Sequence, residues 1–94
     1  LGSPIYAAND GVVEVAGYTS INGNYIIINH NNGYYTLYAH MQRLISKQGD
    51  IVSIGQQIGT MGSTGFSTGP HLHFAVWKGY PYRGGVALNP LSIY

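Results

Sequence analysis

Asn24-Tyr25-Ile26-Ile27-Ile28-Asn29-His30-Asn31-Asn32-Gly33-Tyr34-Tyr35-Thr36-Leu37-Tyr38-Ala39-His40 is the stretch that decides the fold. Two strand-like runs, Asn24 to His30 and Tyr34 to His40, flank an Asn-Asn-Gly turn, and Asn-Gly readily adopts the φ > 0 conformations a tight hairpin needs. The second run alternates. Tyr35, Leu37 and Ala39 fall on one side, and Tyr34, Thr36, Tyr38 and His40 fall on the other. The pattern predicts an antiparallel hairpin with His40 on the more polar face of its strand.

Working outward, further strands are expected at Ile5 to Ala8, Gly11 to Ala16, Ile51 to Ile54, Gln57 to Met61 and His71 to Lys78, joined by Asn-Asp-Gly and Gln-Gly-Asp turns. No stretch carries a helical stripe, so the class is all-β. Gly62-Ser63-Thr64-Gly65-Phe66-Ser67-Thr68-Gly69 is too flexible for a core strand and leads directly into His71, and such loops commonly border binding sites.

The chain has 94 residues, which makes one domain with a modest core, burying roughly two thirds of its unfolded surface. Neither a run of about 18 apolar residues nor a basic-then-apolar leader is present, so no membrane insertion is expected. Only 7% of residues are charged and the net charge is +1, with Arg43, Lys47, Lys78 and Arg83 dispersed. A nucleic-acid partner is therefore not expected. The absence of cysteine removes disulfides, thiol nucleophiles and cysteine zinc sites together. Fourteen glycines and nine tyrosines suit tight turns and a groove lined by amphipathic rings.

His71 and His73 are two apart on a predicted strand, about 6.7 Å along one face, so they can address one ion or one substrate bond. Three protein ligands plus water is a common catalytic zinc set, and from spacing alone His40, His71 and His73 form a candidate three-histidine site. His30 closes its strand with no polar group near it in sequence and reads as a surface residue. Gly65-Phe66-Ser67-Thr68-Gly69 matches the serine nucleophile elbow only in letters, because Pro70 and a strand follow where a helix is required and no acid follows Asp50. A phosphate-binding loop fails for want of the Gly-Lys-Ser/Thr ending. Asp10 and Asp50 belong to turns and Glu14 to a strand, leaving imidazole as the base.

Taken in order, Gly23-Asn24-Tyr25-Ile26-Ile27-Ile28-Asn29-His30, Tyr38-Ala39-His40, Gly49-Asp50-Ile51-Val52, Gly62-Ser63-Thr64-Gly65, Gly69-Pro70-His71-Leu72-His73-Phe74 and Asn89-Pro90-Leu91 resemble the lysostaphin and LytM type of zinc metallopeptidase. The resemblance implies a compact antiparallel sheet or sandwich of the duplicated hybrid motif type, with residues 1–94 as the C-terminal part of such a domain. It assigns His73 to zinc and His40 and His71 to catalysis, which displaces the three-histidine site. Tyr38, Ser67 and Thr68 are expected to border a bound peptide. The family's His-x-x-x-Asp segment, which carries the other two zinc ligands, is expected upstream of Leu1 or on a separate chain holding the rest of the domain. Ala75 stands where relatives often have Glu, which removes a candidate outer hydrogen bond to the metal site.

The activity implied is zinc-dependent cleavage of peptidoglycan stem or cross-bridge peptides, at the cell wall, in the periplasm or from a bacteriophage tail. The alternative is a catalytically incomplete module that binds the wall or a partner protein. Gly11-Val12-Val13-Glu14-Val15 also resembles lipoyl and biotinyl carriers, but neither Lys47 nor Lys78 sits at a hairpin tip.

Overall fold

The computed structural model describes residues 2–62, 73–81 and 84–88, and these residues form strands without helix. The strands are β1 (Pro4–Tyr6), β2 (Gly11–Thr19), β3 (Gly23–Asn29), β4 (Tyr34–Leu44), β5 (Ile51–Val52), β6 (Gln57–Met61), β7 (His73–Lys78) and β8 (Val86–Leu88). All pair antiparallel in one curled sheet ordered β1-β6-β4-β3-β2-β5, with β7 on β4 and β8 on β7. Sequence alternation located seven of these strands but not β8, which follows a Gly-rich stretch, and it stopped β4 four residues early.

Ile26-Ile27-Ile28 explains why β3 is central. A strand covered on both faces carries a continuous apolar run, and all three isoleucines are buried. Directly opposed residues of antiparallel strands project to the same side. The pairs Ile26↔Tyr38, Ile28↔Thr36, Tyr38↔Phe74 and Thr36↔Val76 therefore define one face. Val13, opposite Ile28, and Met41 share that face, and with Ile5, Ala7, Val52 and Ile58 they form the core cluster. Each of the Val, Ile and Met side chains among them contributes about 1.5 to 3 kcal/mol by leaving water.

The pairs Val15↔Ile27, Ile27↔Leu37 and Leu37↔Ala75 define the second face. It is covered in part by the turn after β7, where the Tyr80 ring meets Tyr35 edge-on at 5.3 Å. The turn that joins β3 to β4 spans four residues. Asn31 (φ 60°) and Gly33 (φ 86°) take its left-handed positions, and the Asn29 and Asn32 side chains accept from the amides of Asn31 and Tyr34. The asparagines thus supply both the permitted backbone and the caps.

The long strand β4 forks the sheet. On one edge Tyr35 to Met41 pair with β3. On the other, Tyr34 to Ala39 pair with β7 and Met41 to Leu44 pair with β6. The chain leaves β6 opposite Met41 and enters β7 at His73, whose Cα pairs with Ala39. His40 lies at the crotch of this fork.

Candidate active site

His40 is held by a bulge. Between the pairs Ile26↔Tyr38 and Asn24↔Met41, β3 spends one residue and β4 spends two, so Ala39 and His40 together oppose Tyr25. His40 takes φ 59°, a left-handed conformation that costs a non-glycine residue about 1 to 2 kcal/mol. Its amide donates to the Asn22 carbonyl at 2.6 Å, which fixes the bulge to the β2–β3 turn. This corrects the strict alternation expected from sequence. Met41 rejoins Tyr38 on the core face, and the extra residue sets His40 on the side of Ala39 and Tyr25. The side chain is 6% exposed.

The register brings His73 to the same place. Its Cα pairs with Ala39, so the backbones of His40 and His73, two of the three expected site histidines, come close across β4 and β7 although 33 positions apart in the chain. His71, Ser67 and Thr68 lie outside the described residues, as does all of the glycine-rich loop after Gly62. Gly62 itself is buried against Gln42, where an added Cβ would stand 2.5 Å from the Gln42 nitrogen. Only glycine fits this close to β4.

Tyr38 does not share His40's side. It is 1% exposed and belongs to the core cluster, with its ring 5.3 Å from Phe74 and its hydroxyl accepting from the Ala8 amide at 2.9 Å. Tyr38, expected to border a bound peptide on the side of His40, lies instead behind the strand, because the bulge intervenes between the two residues. His30 also departs from expectation. Rather than a plain surface residue, it has Nδ1 2.8 Å from the Asp10 carbonyl and Nε2 2.7 Å from Thr36 Oγ1. Those partners are distant in sequence or on the next strand, so linear proximity could not reveal them.

On the second face, Val15, Thr19, Asn22, Tyr25, Ile27 and the Tyr80-Pro81 turn enclose a recess of about 250 Å³. Asn22 links it to His40 through the bond just described. Sequence reading missed this recess, since the link from Asn22 is a backbone carbonyl and carries no side-chain signal. The carboxylates serve turns, as expected of Asp10 and Asp50. Asp10 Oδ1 accepts from Ile54 N at 2.7 Å and Asp50 Oδ2 from Lys47 N at 2.9 Å, while Glu14 accepts from Asn29.

Among the described residues no three His, Asp or Glu side chains converge as a metal site. The donor chemistry at the fork is nevertheless of the right kind: imidazole suits zinc, and the register sets the His73 backbone beside the His40 bulge. A tetrahedral site there requires donors beyond those described.

Comparison with known proteins bears on the family and the fold. Residues 1–90 match the model for Peptidase family M23. The peptidoglycan DD-endopeptidase ShyC of Vibrio cholerae is 55% identical over 93 residues, covering 99% of this chain and 20% of that protein. The catalytic domain of the antimicrobial peptidase lysostaphin from Staphylococcus simulans superposes with a TM-score of 0.89 at 33% identity, covering 99% of this chain and 71% of that one. A zinc-containing peptidase from Vibrio cholerae superposes at 0.78 with 45% identity, over 80% of this chain and 23% of that one. The chain thus spans about a fifth of the length of the curated relative. With its curled antiparallel sheet and its forked β4, this chain belongs to Peptidase family M23 and has the lysostaphin-like fold.

Proposed function

We propose that this chain is the C-terminal part of the catalytic domain of a zinc metalloendopeptidase that hydrolyses peptidoglycan stem or cross-bridge peptides. The observation that carries the reading is the placement of the bulged His40 next to the β4–β7 pair Ala39↔His73, in a family whose relatives include peptidoglycan DD-endopeptidases. His73 would hold the zinc, with a further histidine and aspartate from a His-x-x-x-Asp segment upstream of Leu1. When bound, the metal supplies Lewis-acid polarisation of a peptide carbonyl and acidifies a water.

The chain's own residues supply the rest. His40 and His71 move a proton and hydrogen-bond the developing oxyanion, chemistry that contributes on the order of 10²- to 10⁴-fold. The bulge holds His40 rigidly, which limits the reorganisation it must undergo during reaction. Ser67 and Thr68 border the bound peptide, as the resemblance implies, and the Tyr25–Tyr80 recess takes a part of it. The setting is the cell wall or periplasm, and delivery on a bacteriophage tail is compatible with it.

The test is release of muropeptide fragments from purified sacculi by the full-length protein, with its zinc content measured in parallel. About one zinc per chain, lost together with hydrolysis in His73→Ala, is the expected result. A full-length protein that binds no zinc and releases nothing would replace this reading with that of a wall-binding module.

A further inference from the structure

The β1–β2 loop is stitched to the β3–β4 hairpin by a run of hydrogen bonds that the proposed chemistry does not use. The Ala8 amide donates to the Tyr38 hydroxyl at 2.9 Å, and the Tyr38 and Thr36 hydroxyls lie 2.8 Å apart. Thr36 Oγ1 lies 2.7 Å from His30 Nε2, and His30 Nδ1 lies 2.8 Å from the Asp10 carbonyl. The run begins and ends in the same loop, at Ala8 and Asp10. Its middle is dry, since Thr36 and Tyr38 are 4% and 1% exposed.

Proton counting gives the run a direction. A carbonyl oxygen only accepts, so Nδ1 of His30 carries a hydrogen. A neutral imidazole then accepts at Nε2, which makes Thr36 the donor to it. The Thr36 oxygen receives from the Tyr38 phenol, and the phenol oxygen receives from the Ala8 amide. Each of the three side chains donates once and accepts once along the run. The opposite tautomer would aim a nitrogen lone pair at the Asp10 oxygen and lose that bond, at about 1 to 3 kcal/mol.

Tyr38 is the member that reaches the site. It lies two residues before His40, pairs in register with Phe74, and meets the Phe74 ring at 5.3 Å; Phe74 directly follows His73. Fixing the Tyr38 oxygen therefore fixes the core side of both strands that carry site histidines. We propose that His30, held as the Nδ1–H tautomer, is a positioning residue that acts through Thr36 and Tyr38 on the strand segments bearing His40 and His73. His30 touches neither substrate nor reacting atoms. The effect on turnover rests on the peptidase reading, whereas the tautomer does not.

The tautomer is read on full-length protein labelled with 15N-histidine, by long-range 1H–15N correlation about two pH units above the ordinary imidazole value near 6.5. A pyrrole-like Nδ1 and a pyridine-like Nε2 at His30 are expected, and the reverse pattern overturns the inference. In sacculus hydrolysis, His30→Ala and Thr36→Val are each expected to lower kcat on the order of tenfold, with KM changed less than about twofold. Thr36→Ser, which restores the hydroxyl, returns kcat to within about threefold. Turnover in Thr36→Val equal to wild type overturns the positioning role, and this variant decides the matter if His30→Ala does not fold. An inactive wild type with the Nδ1–H tautomer overturns the peptidase reading and leaves the hydrogen-bond run standing. An active wild type with the Nε2–H tautomer does the opposite.

Discussion

The His40 amide donates to the Asn22 carbonyl at 2.6 Å, so the residue at which β4 bulges from β3 is anchored to the turn of the β2–β3 hairpin rather than to its own pairing partner. The turn is itself capped, because the Asn22 amide donates to Thr19 Oγ1 at 3.0 Å. Thr19→Val removes that cap and should loosen the anchor by about 0.5 to 1.5 kcal/mol. Native-state hydrogen exchange of the His40 amide should quicken by about two- to tenfold, while amides in β3 keep their rates. Unchanged exchange at His40 would mean that the cap does not transmit to the bulge.

The left-handed backbone of His40 separates its conformational cost from its chemistry. His40→Ala and His40→Gly should both lose about 10²- to 10⁴-fold in kcat, because neither has an imidazole. Chemical denaturation should nevertheless find the glycine variant more stable than the alanine variant by about 1 kcal/mol, since alanine keeps the φ 59° strain and glycine does not. Equal stabilities would show that the bulge relaxes when the histidine is removed.

Tyr38→Phe keeps the ring contact with Phe74 and deletes the hydroxyl. That leaves the Ala8 amide without the acceptor the run provides and takes from buried Thr36 one of its two partners, the His30 bond remaining. Loss of about 1 to 3 kcal/mol in urea unfolding at unchanged m-value is expected. A change within a few tenths of a kcal/mol would show that water replaces the phenol oxygen.

Two glycines make a matched comparison of crowding against strain. Gly62 leaves no room, its added Cβ standing 2.5 Å from Gln42 N and 2.7 Å from Gln42 Cα, whereas Gly49 meets nothing within 4 Å but has φ 92°. Gly62→Ala must push β4 or the departing loop outward and should cost about 1 to 3 kcal/mol, together with a drop in turnover because the displaced backbone adjoins His40. Gly49→Ala should cost about 1 to 2 kcal/mol and leave kcat unchanged, since its turn lies in the segment before β5. Thermal unfolding and sacculus hydrolysis measure the two effects separately.

Much of this architecture was legible along the chain. The Asn24 to His30 run announced a strand, and Asn31-Asn32-Gly33 announced the turn beside it, because strand propensity and φ > 0 are local demands met by local residue types. The family resemblance rested on Tyr38-Ala39-His40 and His71-Leu72-His73-Phe74 and led to the right fold. Within the predicted run Tyr34 to His40, alternation failed at His40, and the pairing with β6 slips again between Met41 and Arg43. A bulge is a disagreement in count between two strands, and neither strand's sequence alone records it.

The sequence by itself determined the class of the fold, the central hairpin and the residue types from which a metallopeptidase site is made, since each depends on periodicity, turn chemistry and side-chain identity. The tertiary structure alone decided which of those residues act together. It turned His40 onto the side of Ala39 and Tyr25, put Tyr38 into the core, and joined His30 to Asp10 across 20 residues. Those assignments come from strand register and from hydrogen bonds between segments far apart in the chain, where a shift of one residue reverses the side a group faces.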